Sequence, residues 1–159
     1  MSKPNYTGIY HMVSQENFEE YLAALDVNYA LRKVVCILKP SKHIEHDVNT
    51  GKMKIKTTVT TFRNFDMDFT LGQEFTEDLG PVDGRKCQTT VNWDGDKLIC
   101  VQRGEKEGRG WTHWLEGNLL HLVSKQGLSW ARKTALYIYI YIYIYNITVI
   151  LLLSNKCSL

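Results

Sequence analysis

The hydrophobic period of the chain changes once. Between Ser14 and Pro40, Phe18, Tyr21, Leu22 and Leu25 recur at helical spacing, and Leu31, Val34, Val35 and Leu38 form a second stripe. That spacing predicts a short helix from Gln15 to Leu25 with Ser14 as its N-cap, an interruption at Asp26 and Asn28, and a second helix stopped by Pro40. Thr7 to Val13, ahead of them, reads as a strand. Beyond Pro40 the period is two. Met53 and Ile55 alternate with Lys52, Lys54 and Lys56, while Cys87, Thr89, Val91 and Trp93 oppose Gln88, Thr90 and Asn92. Turn residues interrupt the alternation at Asn49 to Gly51, Val82 to Gly84, Asp94 to Gly95, Glu107 to Gly108 and Glu116 to Asn118. About eight strands at roughly ten-residue spacing predict an antiparallel meander, closed into a barrel or folded as a sandwich. The face carrying Arg109, Trp111, His113 and Leu115 mixes large apolar groups with polar ones, and the run Thr57 to Thr61 would pack a dry core poorly. Both suit a wet or ligand-filled interior. The other account has the polar groups facing solvent and the Trp residues filling a solid core.

Composition bounds the rest. The chain has 159 residues, 44% hydrophobic and 23% charged, which fits one ordinary globular domain and excludes wholesale disorder. A net charge of +2 offers no basic field for nucleic acid. The balance is uneven, however. The segment through Leu122 is about −2, whereas the last 37 residues hold four basic and no acidic side chains and are +4. Five of the nine Tyr lie there too, alternating with Ile from Tyr137 to Tyr145. The N-terminus has no apolar run before a small-residue cleavage site, so a cytoplasmic protein is expected. Four Cys without C-x-x-C spacing read as reduced thiols.

Catalytic constellations are missing from the pattern. His43 and His46 with Glu45 and Asp47 invite a metal site, but a strand offers only alternate residues to one face, and exposed strand polarity is the simpler account. No nucleophile elbow, phosphate loop or zinc spacing occurs. Neither an enzyme nor a metal or organic cofactor is expected.

The strings GIYHMVSQENFEEYLAAL, ALDVNYALRK, KPSKHIEHD, TTFRNFDMDF and VDGRKCQTTVNWDGDKLICVQRGEKEGRGWTHWLEG, then LHL, resemble the cellular retinol-binding proteins among the intracellular lipid-binding proteins. The resemblance runs from about Asn5 to Leu122. It implies an all-β fold, a ten-stranded antiparallel lipid-binding barrel around one ligand with a two-helix lid over the portal. The implied ligand is all-trans-retinol or a related retinoid, ring near the lid and hydroxyl deep inside. By matching position, Phe18 and Tyr21 are implied lid or portal contacts, Leu31 a second-helix contact, and Phe62 and Arg63 part of the opposite portal turn. Met67 and Trp111 would line the barrel, and Lys42 would lie beside the retinol chain. His113 stands where some members carry the glutamine that bonds the hydroxyl and others, such as the type III cellular retinol-binding proteins, carry His. A buried Arg at that place would select a carboxylate; an uncharged partner favours an alcohol. A fatty acid or another lipid is the alternative cargo. The implied protein is a monomer that takes a small hydrophobic ligand, makes transient contact with membranes or retinoid-metabolising enzymes, and carries no nucleic acid. Between Lys56 and Phe62 the string KTTVTTF holds one residue more than the family pattern, which would exchange inward and outward faces if it shifted the strand, so Ile55 is not placed in the site.

After LHL the resemblance stops. The chain therefore divides into a barrel domain over 1–122, incomplete at its C-terminal end, and a non-family tail over 123–159, with the family's final strand missing or replaced by the tail. Val123, Ser124 and Lys125 can be encoded by a string containing a splice-donor consensus, and a TA repeat read in frame gives alternating Tyr and Ile. Translation of a retained intron fits both. Ranked by expectation, the tail's fates are aggregation or poor order, substitution for the closing strand, and membrane anchoring through the uncharged run Ala135 to Leu153. A non-binding, membrane-attached or aggregation-prone product is thus a further alternative, and a barrel without closure should bind retinol weakly.

Overall fold

The computed structural model describes residues 2–60 and 63–137. Ten strands follow one another: β1 Gly8–Glu16, β2 Ser41–Asp47, β3 Lys52–Thr60, β4 Arg63–Thr70, β5 Phe75–Leu79, β6 Arg85–Asp94, β7 Lys97–Arg103, β8 Arg109–Glu116, β9 Leu119–Gln126 and β10 Ser129–Tyr137. Helices α1 (Phe18–Ala24) and α2 (Tyr29–Cys36) separate β1 from β2, and a single turn, α3 (Gly80–Asp83), links β5 to β6. All strands join one antiparallel sheet in the order β4-β3-β2-β1-β10-β9-β8-β7-β6-β5, which curls into a nearly closed barrel with β4 and β5 as its two edges. The barrel alternative, rather than the sandwich, is the one observed.

Local departures from expectation have local causes. The first helix begins three residues late, because Ser14, Gln15 and Glu16 pair with Thr134, Lys133 and Arg132 of β10 and so remain strand. Ser14 is not a cap. The cap residue is Asn17, held in the left-handed region at φ 53, and its side chain makes no capping bond. At α2 the Asn28 side chain accepts from the Leu31 amide, as a good N-cap does. The additional residue of KTTVTTF is absorbed by a register shift between Thr58 and Thr60, leaving Val59 as a bulge. Ile55 therefore keeps its phase. It pairs with Met67 and is buried.

Nor is the barrel left open where the resemblance ends. β9 runs unbroken through Leu122 to Gln126, Gly127 at φ 57 turns the chain, and β10 pairs with β9 from Ser129 to Leu136 and with β1 from Arg132 to Tyr137. The first part of the tail thus supplies the tenth strand. The Tyr137 ring lies edge-on to Tyr10 at 5.4 Å between centroids and covers Gly8, where a Cβ would stand 2.0 Å from a ring carbon. The expectations for aggregation, order and anchoring concern residues 138–159 above all and lie outside the described residues.

Two groups of buried side chains fill the ends. Tyr6, fully buried, donates its hydroxyl to the carbonyls of Asp96 (3.0 Å) and His113 (3.2 Å) and packs with Trp93 and His46. This closes the floor. At the other end of β1, Tyr21, Leu22, Leu25 and Val27 of the helical segment pack on Ala131 of β10. Arg85 clasps that lid by donating to the Leu25 carbonyl and the Asp26 carboxylate, each at 2.9 Å.

The seam between β1 and β10 gives a direct test. Gly8→Val drives a side chain into the Tyr137 ring and is expected to destabilise the protein by about 1–3 kcal/mol. Combined with Tyr137→Ala the loss should be non-additive by more than about 0.5 kcal/mol in urea unfolding. Additive losses would mean that the two residues do not meet.

Candidate functional site

A strand that alternates its side chains presents one ladder of residues to the barrel interior, and β8 presents Arg109, Trp111 and His113. The ladder descends from lid to floor. Arg109 donates to the carboxylate of Asp83 in α3 at 2.8 Å, both side chains almost wholly buried, and lies beside the Tyr21 hydroxyl of α1. Trp111 is next, its ring edge-on to His113 at 4.9 Å. His113 is at the bottom, where its carbonyl receives the floor tyrosine.

The interior void is about 220 Å³. Its walls include Tyr21, Lys42, Ile55, Met67, Trp111 and His113. A second void of about 210 Å³ lies under the helices, walled by Leu22, Val27, Leu31, Val35 and Pro40 with Lys133 from β10. Phe18, Thr57, Val59, Phe65 and Val82 border both, so the two form one path from mouth to floor.

Polar groups along this path have distinct chemistries. The His113 ring nitrogen Nδ1 is 2.9 Å from the His121 carbonyl, which can only accept, so Nδ1 carries the proton. Nε2 is then a lone-pair acceptor with no partner among the described residues. Burial holds the His113 pKa down to about 3, helped by the nearby Lys42 ammonium and opposed by the His121 hydrogen bond. The ring is neutral at physiological pH. Lys42 donates to the Thr57 hydroxyl at 3.0 Å, and burial lowers its pKa to about 8. Glu77 accepts from Gln102 (2.6 Å) and Thr89 (3.1 Å) through Oε1, while its Oε2 has no partner among the described residues.

Of the residues singled out from sequence, Phe18, Tyr21, Lys42, Met67, Trp111 and His113 converge on the interior, and Leu31 reaches the mouth although its side chain is partly exposed. Arg63 opens β4, and Phe62 lies outside the described residues. The candidate set left out Ile55, set aside because the additional residue put its phase in question, and with it Thr57, Val59 and Phe65, which the pairing of β3 with β4 brings to the void. It also left out Glu77 and Gln102, whose inward phase on β5 and β7 was available from alternation, Arg109, which alternation put on the interior face but to which no role was given, and Lys133, which lies in the tail.

Comparison with known proteins follows the same outline. The profile of the Lipocalin / cytosolic fatty-acid binding protein family matches residues 7–127. Bovine (Bos taurus) "Retinol-binding protein 1" is 61% identical over 118 residues, covering 74% of this chain and 85% of the relative. "Retinol-binding protein 5" of Pongo abelii is 52% identical over 119 residues, covering 75% and 86%. A solved structure titled "Human cRBP IV" superposes with a TM-score of 0.80 at 40% identity, covering 84% of this chain and 98% of that one.

The neutral buried imidazole makes stability depend on pH. Unfolded, His113 takes up its proton near 6.5; folded, only near 3. Its contribution is therefore complete above pH 6.5 and is lost as pH falls from there toward 3. His113→Gln should remove that slope. Urea unfolding at pH 7 and pH 5 is expected to cost the parent on the order of 1–2 kcal/mol more than the variant. Equal losses would place the ring in contact with water.

Proposed function

The chain belongs to the lipocalin / cytosolic fatty-acid binding protein family, and on that premise we propose that it binds retinol, as an intracellular carrier, with the alcohol at His113. The family consists of binding and carrier proteins for small hydrophobic ligands, and the chain is a binder rather than an enzyme. No reaction and no cofactor are required.

The observation that carries the retinol reading is the fixed tautomer of His113. An apolar wall retains any chain of suitable length: about 500 Å² of buried polyene gives roughly 12 kcal/mol gross at about 25 cal/mol per Å², less the cost of association. Discrimination needs a polar contact that fits one head group. A neutral imidazole with its Nδ1 proton committed to His121 presents a bare acceptor to the cavity, and a hydroxyl supplies the matching donor. A carboxylate has no proton to give at neutral pH, so it meets lone pair with lone pair. The aromatic wall at Trp111 and the apolar path past Met67 and Ile55 suit the polyene, and Phe18 and Leu31 stand where the ring would rest.

Lys42 supports a second reading. Its ammonium borders the same void without a carboxylate partner, so a long-chain acid would gain an ion pair there. The lid end, where Arg85 holds Leu25 and Asp26, is the part that must open for exchange. Among the described residues no helix is long and apolar enough to cross a membrane. A monomer working in the cytoplasm, with passing contacts to membranes or retinoid-handling enzymes, is the setting this reading implies.

Fluorescence titration separates the readings. The full chain should bind retinol saturably at one site. His113→Leu should weaken binding by about tenfold, the worth of one hydrogen bond of about 1–1.5 kcal/mol, and His113→Arg should shift preference to long-chain acids. Unchanged ligand ranking in both variants removes His113 from the head-group site.

A further inference from the structure

Among the described residues, the one amine that borders the mouth void is that of Lys133. In β10 the inward positions are Ala131, Lys133 and Ala135, with Arg132 turned out to solvent. The register places Lys133 between Gln15 of β1 and Leu122 of β9. Small neighbours above and below leave its amine room in the mouth void. Every other described residue bordering that void is uncharged. The Lys133 amine lies over the Phe18 ring, 3.4 Å from its centroid, and has neither a salt bridge nor a hydrogen-bond acceptor among the described residues. Lys42 differs, since Thr57 accepts from it.

We propose that Lys133 is a covalent capture site for long-chain or polyene aldehydes, forming an imine at the mouth while the apolar chain of the ligand lies in the barrel. This rests on the reading of the cavity as a lipid site and goes beyond it, because retinol has no group with which an amine can condense. The step balances without an oxidant or reductant. The Nζ lone pair attacks the aldehyde carbon, the carbonyl oxygen is protonated to give a carbinolamine, and loss of the hydroxyl as water, with the second N–H proton, leaves a C=N bond. Two features of the site favour it. The reactive species is the neutral amine, and an ammonium without a counter-ion in an apolar mouth is disfavoured by burial and by Lys42; together these hold the Lys133 pKa to about 7, with Cys36 opposing weakly. Condensation also removes the need for a counter-ion, which the lining does not supply.

The test incubates the full chain with retinaldehyde as probe, traps the imine with borohydride and reads intact mass and peptide maps. One equivalent is expected, on the peptide containing Lys133, absent in Lys133→Arg, retained in Lys42→Arg and suppressed by excess retinol. Trapping should speed up several-fold from pH 6 to pH 8. Adduct on Lys42, adduct spread over surface lysines, or equal labelling of Lys133→Arg overturns the proposal; the peptide map of the parent chain decides even if a variant fails to fold. Saturable retinol binding with no Lys133 adduct overturns this inference alone, whereas failure of both retinol binding and trapping overturns the cavity reading as well.

Discussion

Ten strands of this length can enclose a space larger than their own side chains fill only if the sheet comes round on itself, and here that depends on the pairing of β1 with β10. Backbone hydrogen bonds drive such a pairing and are indifferent to most side chains. An open β1 would expose a row of unpaired amides and carbonyls beside an apolar interior, an edge that invites other chains. Closure converts the same row into the wall of a chamber. The lid depends on it too, since Tyr21, Leu22, Leu25 and Val27 pack on Ala131 of the closing strand. Fold, cavity and lid thus share one seam.

Within the chamber, charge is managed by position. The Arg109–Asp83 pair sits under the lid, where it ties α3 to β8; such a pair is a weak source of net stability, and its value is in fixing the neighbouring turn. At the floor, Tyr6 is fully buried and the ring of His113 stays neutral. Between them the aromatic and aliphatic walls are interrupted by Lys42, bonded to Thr57, and by Glu77, bonded to Gln102 and Thr89. A ligand travelling from mouth to floor passes the paired charges under the lid before it reaches His113. That order follows from β8 being one strand: alternation puts Arg109, Trp111 and His113 in line, and strand rise spaces them by about 7 Å.

Much of this was legible in the sequence, unevenly. Alternation placed Cys87, Thr89 and Val91 inward and marked the hairpins at Asn49 to Gly51 and Asp94 to Gly95, because period and turn chemistry are local. The family strings then fixed ten strands and pointed to Lys42, Met67, Trp111 and His113, which the fold brings to one void. Two kinds of information were out of reach. Ile55 was set aside since a single additional residue reverses the phase of a strand, and only the partner strand shows that the bulge falls at Val59, beyond it. The Ser14 cap failed for a related reason. Three residues with good helix-start chemistry were claimed by a strand more than a hundred positions away.

The closing strand shows what a barrel asks of its last segment. SWARKTALY lies beyond residues 7–127, which the family profile matches, and it pairs with β9 on one side and with β1 on the other. The requirements it meets are few: no proline, a turn glycine at Gly127, and small or amphipathic residues on the inward phase. What it cannot choose is which side chains the register turns inward. Pairing Met12 with Ala135, and Gln15 with Lys133 beyond the shift between Met12 and Ser14, puts an amine in an apolar mouth and a tyrosine ring over Gly8. The strand that closes the barrel therefore brings side-chain chemistry with it, and the chamber acquires an amine at its mouth as a consequence of closure.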